Sequence, residues 1–323
     1  MAIDLLSLQP SVISKDLREK YILLAGQPKI GKTEFCSMAP DALILAFEMG
    51  TNARPGAMVQ PIEKWSDFKV VLRQLEKPEV KAKFSTICID TVGIAYDACE
   101  KYICAQEGKQ KIGDIPFGGG YNALSKEFEN SLRKITMLGY GLIMTCHLKE
   151  STDENGNVTG SKPDLNNRCL KIVNGLVDII GVITQTWNEK GESERWIQTR
   201  ATKEVQAGSR FRYLEPKIPF GYKEFVDALA KAIEAEEANG AKVVDKMERN
   251  SEEKLDFATV RAEAQKLWVK LVGTGDDANE EAANTILKKI EITMGRRMKL
   301  SEFTEDQVDL LALIVDEMKK MAS

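Results

Sequence analysis

Short apolar runs recur along the chain as far as Thr184, and segments with helical periodicity separate them. Each run has four to six residues and almost no charge, which is typical of parallel strands buried on both faces. The alternation of strand and helix signals predicts an α/β fold with a mainly parallel central sheet. The predicted strands are Ile22–Ala25, Ala42–Phe47, Thr86–Ile89, Gly141–Cys146 and Ile179–Thr184, and the predicted helices are Lys32–Met38, Trp65–Leu75, Ile94–Gln106 and Tyr121–Leu138.

The pattern changes after Thr184. The segments Gln185–Trp187 and Glu194–Arg200 lie on either side of a polar turn, and together they predict an antiparallel hairpin added to the sheet. A helix is predicted over Glu224–Asn239, and Gly240 is a suitable residue to end it.

The last third of the chain lacks strand signals. Lys242–Leu255 is rich in charge and has no clear apolar period, which predicts a linker or a loosely held helix. Three further helices are predicted over Phe257–Val272, Asn279–Met294 and Glu305–Met321. We therefore predict an α/β core over residues 1–240, a linker over 241–256 and a small all-α module over 257–323.

Composition narrows the class of protein. A length of 323 residues predicts about two domains. A hydrophobic content of 43% with 29% charged residues is that of an ordinary globular protein. No apolar run approaches the ~20 residues that cross a bilayer, so we expect no membrane partner.

The six cysteines show no zinc-site spacing and there is one histidine, so we expect the reduced thiols of a cytosolic protein. A net charge of −4 disfavours a basic surface over the whole molecule but leaves room for a local one.

The segment that follows the first predicted strand matches the phosphate-binding pattern G-x-x-x-x-G-K-[ST] at every fixed position. The glycines let successive backbone N–H groups turn toward phosphate oxygens. Lys32 supplies an ammonium group for the β- and γ-phosphates, and Thr33 supplies a hydroxyl ligand for Mg²⁺. We therefore predict that ATP and Mg²⁺ bind at this P-loop, which consists of Gly26, Gln27, Pro28, Lys29, Ile30, Gly31, Lys32 and Thr33.

A P-loop also needs an acidic residue that holds Mg²⁺. Asp90 comes at the end of the predicted strand that begins at Thr86, and open α/β sheets bind their ligands at the carboxyl ends of their strands. The Walker B position is therefore predicted at Asp90, with Thr33 and Asp90 as the metal ligands. Aspartate is also a common helix N-cap, which is the alternative explanation.

Hydrolysis requires a group that activates water. Many ATPases of the additional-strand class carry a glutamate directly after the Walker B aspartate, but here the next residue is Thr91. Glu48 closes the apolar strand that begins at Ala42, and we expect that strand to lie one sheet position from the P-loop. Glu48 is therefore the predicted catalytic base, and a solvated turn residue before Gly50 is the alternative.

Two further residues are candidates for sensing or stabilising the γ-phosphate. His147, the single histidine, ends the strand that begins at Gly141, where a polar side chain can act as a sensor, although a lone histidine is often structural. Lys203 is the predicted finger, a cationic side chain that reaches the nucleotide of a neighbouring subunit. Arg200 and Arg210 are the other candidates for this role and rank after Lys203. Ordinary solvated charge is the alternative explanation.

Polymer contacts are predicted in two polar loops. Lys149–Arg168 follows directly after the strand that ends at His147, so it is placed to couple nucleotide state to a partner. Gly108–Tyr121 is the second such loop. Neither loop is strongly basic.

Several segments together resemble phage-encoded nucleotide-binding proteins with a RecA-like core. More specifically, they are similar to the Sak-type single-strand annealing ATPases, which are shortened relatives of recombinases. The resemblance covers roughly residues 1–225 and excludes the C-terminal helices. The segments that carry it are DLLSLQPSVISKDLREKYILLAGQPKIGKT, the strand-end Glu48, TICIDTV and LGYGLIMTCHLKE.

The resemblance implies a RecA-like P-loop ATPase core and a role for each candidate residue. Lys32 and Thr33 would bind phosphate and Mg²⁺, Asp90 would support the metal, Glu48 would activate water and His147 would be the sensor. The region around Lys203 would act in trans within a homo-oligomer. The implied partners are single-stranded DNA and a single-strand-binding protein, in the cytoplasm of a bacterial host. No DNA-contacting residue can be matched to the family.

Two other classes of function fit the same motifs. A P-loop protein can act as a nucleotide switch or assembly factor without DNA activity. A P-loop kinase would need an arginine-rich lid and an acceptor pocket, and the sequence indicates neither clearly.

Overall fold

The computed structural model describes residues 12–16, 19–48, 56–154, 158–245, 256–273 and 278–322. These residues separate into two compact units, one within residues 11–249 and the other from residue 250 onward. The boundaries at residues 240 and 256 stay predictions.

Among the described residues, nine strands form the central sheet of the first unit. The described strands of this unit are β1 (Ile13–Ser14), β2 (Tyr21–Ala25), β3 (Ala42–Ala46), β4 (Met58–Pro61), β5 (Thr86–Asp90), β6 (Gly141–Cys146), β7 (Leu148–Thr152), β8 (Val158–Pro163), β9 (Ile179–Trp187), β10 (Ser193–Gln198), β11 (Gly208–Ser209), β12 (Lys217–Pro219) and β13 (Val243–Val244). The strand order in the central sheet is β12-β10-β9-β2-β6-β5-β3-β4, and β11 pairs with β9.

The part of the sheet from β9 to β4 is parallel, as the apolar runs predict. One strand, β6, separates β2 with its P-loop from β5 with Asp90. β3 pairs with β5 and not with β2, so the expectation that Glu48 lies one sheet position from the P-loop is wrong. The α/β fold class is confirmed.

Helices cover both faces of the sheet because alternate strand residues are apolar on both sides. In β2, Leu23 packs on one face and Leu24 on the other. The first face carries α2, α4, α5 and α6, and the second carries α1 and α7. The described helices of this unit are α1 (Lys32–Ser37), α2 (Trp65–Gln74), α3 (Pro78–Lys83), α4 (Val92–Gln106), α5 (Gly119–Met137), α6 (Asn167–Leu176) and α7 (Tyr222–Ala238).

The hairpin predicted after Thr184 is present. β9 continues to Trp187 and pairs with β10 in antiparallel register, so that Arg195 lies opposite Gln185. β12 then adds to β10 as a further antiparallel strand. This extension places β10 two strands from the P-loop strand β2.

Two segments differ from the sequence prediction. The predicted polar loop Lys149–Arg168 forms the antiparallel pair β7–β8 followed by the start of α6. In the predicted linker, β13 pairs with β1, so the segment before residue 246 is held by backbone hydrogen bonds. Residues 246–255 of that linker lie outside the described residues.

In its described part, the second unit contains the three helices expected from the pattern. They are α8 (Phe257–Val272), α9 (Glu280–Met294) and α10 (Val308–Ala322). Their apolar positions form a small core of their own, which includes Ala264, Ile290 and Leu311.

Among the residues that the structure describes, no helix combines the length and the apolar character needed to cross a membrane.

Candidate nucleotide-binding and hydrolysis site

The P-loop follows β2 and leads into α1, as the pattern predicts. Gly31 has a φ of +114°, a left-handed conformation that favours glycine, and Lys29 also has positive φ. A Cβ atom on Gly31 would lie 2.7 Å from an Arg195 nitrogen and 2.9 Å from the ring of Phe220, so another residue there would displace these two side chains. The fixed glycine therefore serves both the turn and its packing.

Lys32 lies at the centre of this loop. Its Nζ donates to the carbonyl oxygens of Gly26 and Gln27, each at 2.9 Å, and the side chain is buried. Burial lowers the pKa of Lys32, while the nearby carboxylates of Asp90 and Glu48 act in the opposite direction. The ammonium group is thus held where the loop closes around a phosphate.

Asp90 is bound from two sides by hydroxyl groups. Thr33 Oγ1 donates to Asp90 Oδ2 at 2.7 Å, and Thr145 Oγ1 donates to Asp90 Oδ1 at 2.5 Å. Thr145 comes from β6 and is fully buried, so it fixes the carboxylate from inside the sheet. Sequence analysis did not identify Thr145, although a threonine within an otherwise apolar strand is a signal that could have been noted.

Glu48 and His147 meet at the same edge of the sheet. His147 Nε2 lies 3.2 Å from Glu48 Oε2, and both side chains are partly exposed. Glu48 reaches this position although β3 is distant from β2, because its backbone N–H bonds to the carbonyl of Asp90 at 3.2 Å. The structure therefore brings together Lys32, Thr33, Glu48, Asp90 and His147, and their catalytic roles stay predictions.

The cations predicted as fingers lie elsewhere. Arg200 donates to the carbonyl oxygens of Ser209, Phe211 and Arg212, which holds the chain after β11 in place. Arg210 pairs with Asp178 at 3.1 Å. Lys203 is exposed in the segment between β10 and β11, and no described contact joins it to the P-loop.

Arg195 is a P-loop contact that sequence analysis missed. Its Nη1 donates to the carbonyl of Ile30 at 2.7 Å and lies 3.8 Å from a Glu34 oxygen. The guanidinium group stacks over Phe220, with its central carbon 4.5 Å from the ring centroid. Arg195 comes from β10, and only the register of the β9–β10 hairpin brings it to the loop. The apolar and polar pattern alone does not give that register.

We expect Arg195→Gln to weaken ATP binding by about tenfold, because the loss of one charge-assisted hydrogen bond frees the Ile30 carbonyl beside Gly31. Titration with a fluorescent ATP analogue measures the change. Arg212→Gln is the matched control, since Arg212 also stacks on an aromatic ring, Tyr213, but is not among these P-loop contacts. Equal affinities for Arg195→Gln and the wild type would contradict the role of Arg195.

The donor set fits Mg²⁺ with a nucleoside triphosphate. The Thr33 hydroxyl and the Asp90 carboxylate are hard oxygen ligands, and Mg²⁺ in phosphate sites is usually held by one or two such groups together with substrate phosphates and water. Within the described residues, no cluster of three or more His, Cys, Asp or Glu side chains could cage a metal ion. The described cysteines are free and buried. The fold and this site define a P-loop nucleotide-binding protein.

Comparison with known proteins gives the family. Residues 18–211 match a protein family described as AAA domain. The SPbeta prophage-derived uncharacterized protein YorG of Bacillus subtilis (strain 168) is 31% identical over 336 residues, which cover 99% of each chain. The chain therefore belongs to the AAA domain family, which fits the nucleotide-binding site described above, and it has a prophage-derived relative.

A solved structure also matches in part. The flagellar accessory protein FlaH from Methanocaldococcus jannaschii is 12% identical, with a TM-score of 0.34, over 63% of this chain and 85% of that one.

Proposed function

We propose that this chain hydrolyses ATP with Mg²⁺ and couples hydrolysis to single-stranded DNA, as a Sak-type annealing protein of phage recombination. It would act as a homo-oligomer beside a single-strand-binding protein in the cytoplasm of a bacterial host. The observation that carries the proposal is the convergence of the Glu48–His147 pair with the Thr33–Asp90 pair at one sheet edge. The resemblance to annealing ATPases supports the DNA partner.

The binding step uses the P-loop. Lys32 would transfer its hydrogen bonds from loop carbonyls to the β- and γ-phosphates, and Thr33 with Asp90 would hold Mg²⁺. When bound, Mg²⁺ neutralises developing phosphate charge. The hydrogen bond from Thr145 keeps that carboxylate in place.

The hydrolytic step uses Glu48. Its carboxylate would accept a proton from the attacking water, and the contact with His147 Nε2 would orient it. Both side chains are open to solvent, so water can reach them. His147 is thus a positioning residue that can also sense the γ-phosphate.

The segment after His147 offers a route from nucleotide to DNA. β7 begins at Leu148, and the Asp164 N–H that follows β8 bonds to the His147 carbonyl at 2.8 Å. Arg168, in the first turn of α6, stacks over Tyr121 at 4.6 Å from the ring centroid. These contacts lead from His147 to Tyr121, which lies in the first turn of α5 and ends Gly108–Tyr121, the second segment predicted to bind a polymer.

Phe117 lies in that loop and is fully exposed with a φ of 56°, an uncommon conformation for a residue other than glycine. The loop around it is anchored by buried Ile112 and Ile115, and Gly120 lies so close that a Cβ atom would be 2.7 Å from the Ile112 carbonyl. An aromatic ring presented in this way can stack on an unpaired base. We assign Phe117 as the base-stacking residue of the proposed DNA site.

We expect Phe117→Ala to lower the affinity for a labelled oligo(dT) by about tenfold, because stacking of one base contributes ~1–3 kcal/mol. Fluorescence anisotropy measures the affinity. Trp187→Ala removes another exposed aromatic side chain, at the end of β9, and is the matched control that should bind normally. If the wild type binds oligo(dT) and Phe117→Ala binds equally well, DNA contacts another surface.

Oligomerisation has a specific candidate residue. Lys203 is exposed and has no described contact within its own P-loop site, which is compatible with a role on the nucleotide of a neighbouring chain. The second candidate function, a nucleotide switch or assembly factor, needs the same P-loop but neither fast hydrolysis nor DNA.

A further inference from the structure

A cavity of about 210 Å³ has His147, the partner of Glu48, in its wall. The first turns of α4, the end of β6 and the segment that leads into α6 form its walls. Its volume corresponds to about seven water molecules, since each takes ~30 Å³ in the liquid. The residues that matter for its chemistry are Thr91, Tyr96, Asp97, His147, Asp164 and Asn166.

Two buried polar atoms at this cavity have no hydrogen-bond partner within the described residues. They are Tyr96 Oη and His147 Nδ1. Tyr96 is 2% exposed, and burial raises its pKa to about 12, so its hydroxyl stays protonated. A buried polar atom without a partner costs free energy, which a ligand in the cavity would recover.

The contact with Glu48 determines whether His147 Nδ1 is a hydrogen-bond donor or acceptor. When Nε2–H donates to Glu48, the imidazole is in the tautomer whose Nδ1 is an acceptor. The cavity therefore presents an acceptor at His147 and a hydroxyl oxygen that can accept at Tyr96. A ligand with several N–H donors satisfies both.

The charged side chains that line the cavity also favour a ligand with N–H donors. The carboxylates of Asp97 and Asp164 line the cavity, and no lysine or arginine of the described part of the chain does. Partial burial raises the pKa of Asp97, with Lys101 acting in the opposite direction. An anion is disfavoured here, and no cluster of metal-binding side chains is present among the described residues. The two carboxylates therefore favour a cation that carries N–H donors.

We propose that this cavity binds a guanidinium group, supplied by an arginine side chain of a neighbouring polypeptide or by free arginine. Guanidinium is planar, carries five N–H donors and is more weakly hydrated than an ammonium ion, so it tolerates the apolar walls at Ile94 and Leu165. Arg168 of the same chain does not line the cavity and stacks over Tyr121, although its charge acts on Tyr96 and lowers the pKa of that hydroxyl against the larger effect of burial.

Binding at Nδ1 has a consequence for the catalytic pair. A donor at Nδ1 stabilises the tautomer that carries hydrogen at Nε2, and this holds Glu48 in the orientation for water activation. The cavity is then a regulatory site that raises the hydrolysis rate. This consequence rests on the proposed roles of Glu48 and His147, whereas guanidinium binding does not.

The single histidine allows a direct test. Protein labelled with ¹³C and ¹⁵N in histidine gives signals from His147 alone. Titration of the intact chain with methylguanidinium should shift these signals saturably and increase the Nε2–H tautomer. Tetramethylammonium, which has the same charge but no N–H donor, should leave them unchanged. A wild type without a saturable shift, or with equal shifts for both cations, would overturn the proposal.

Tyr96→Phe tests the cavity itself. Loss of one hydrogen bond to a charged group should weaken methylguanidinium binding by about tenfold, while thermal stability stays equal or rises because an unpartnered hydroxyl is removed. Tyr102→Phe on the same helix is the control, since its hydroxyl bonds to Gln106 outside the cavity, and its binding should be unchanged. Unchanged affinity in folded Tyr96→Phe would also overturn the proposal.

Dilution distinguishes the two possible sources of the guanidinium group. If a neighbouring copy of this chain supplies it, concentrated protein alone should show the bound His147 signals, and dilution should reverse them. If free arginine is the ligand, only added arginine should produce them. ATP hydrolysis is measured in the same samples, so a failure of the proposed catalytic roles is seen separately from a failure of binding.

Discussion

A chain with Lys32→Ala should lose ATP affinity by about 100-fold or more and show no measurable ATP turnover. Lys32 is the buried cation of the P-loop, and its Nζ already lies within hydrogen-bond distance of loop carbonyls. Two hydrogen bonds to charged phosphate oxygens, each worth ~1.5–3 kcal/mol, account for an effect of this size. Isothermal titration with ATP and Mg²⁺ measures it.

The fold should survive this substitution. Lys32 is not a member of either hydrophobic core cluster, and its removal also relieves the cost of burying a cation. Lys231→Ala is the matched control, because Lys231 is an exposed lysine within α7 and is not a P-loop residue. Wild-type ATP affinity in folded Lys32→Ala would defeat the P-loop assignment.

Glu48→Gln should keep ATP bound and slow hydrolysis by ~10²-fold or more, the effect expected when a positioned general base is lost. Glutamine preserves the size of the side chain and the backbone bond to the Asp90 carbonyl. It removes the carboxylate that would accept the proton. Single-turnover hydrolysis at saturating ATP separates this effect from binding.

Glu63→Gln provides the control for Glu48. Glu63 is an exposed glutamate that follows β4, the strand next to β3, so the same change in charge occurs at a neighbouring position of the sheet. Its hydrolysis rate should match the wild type. A Glu48→Gln protein that turns over ATP at the wild-type rate would assign water activation to another group.

The parts of the site that the sequence predicted are those with local geometry. The P-loop residues from Gly26 to Thr33 are contiguous, and their conformation depends on glycine at Gly31 and on the strand before it. Asp90 was predictable because parallel strands all end at one sheet edge. The apolar runs predicted the parallel sheet because a strand buried on both faces has a continuous apolar sequence.

The remaining features depend on long-range pairing, which a single sequence does not fix. Arg195 reaches the P-loop only through the register of β9 with β10 and the order β10-β9-β2. Thr145 meets Asp90 because β6 lies between β2 and β5. The strand order also explains why Glu48 reaches the site from a more distant strand than expected. The β7–β8 pair was missed because its residues are exposed and polar, without an apolar alternation.

ATP hydrolysis by the intact chain at saturating Mg²⁺–ATP, measured with and without oligo(dT), tests the central claim most directly. We predict turnover that requires Lys32 and Glu48 and rises when oligo(dT) is added. A folded protein that binds ATP but neither hydrolyses it nor responds to oligo(dT) would contradict the claim, and would favour a nucleotide switch or assembly factor.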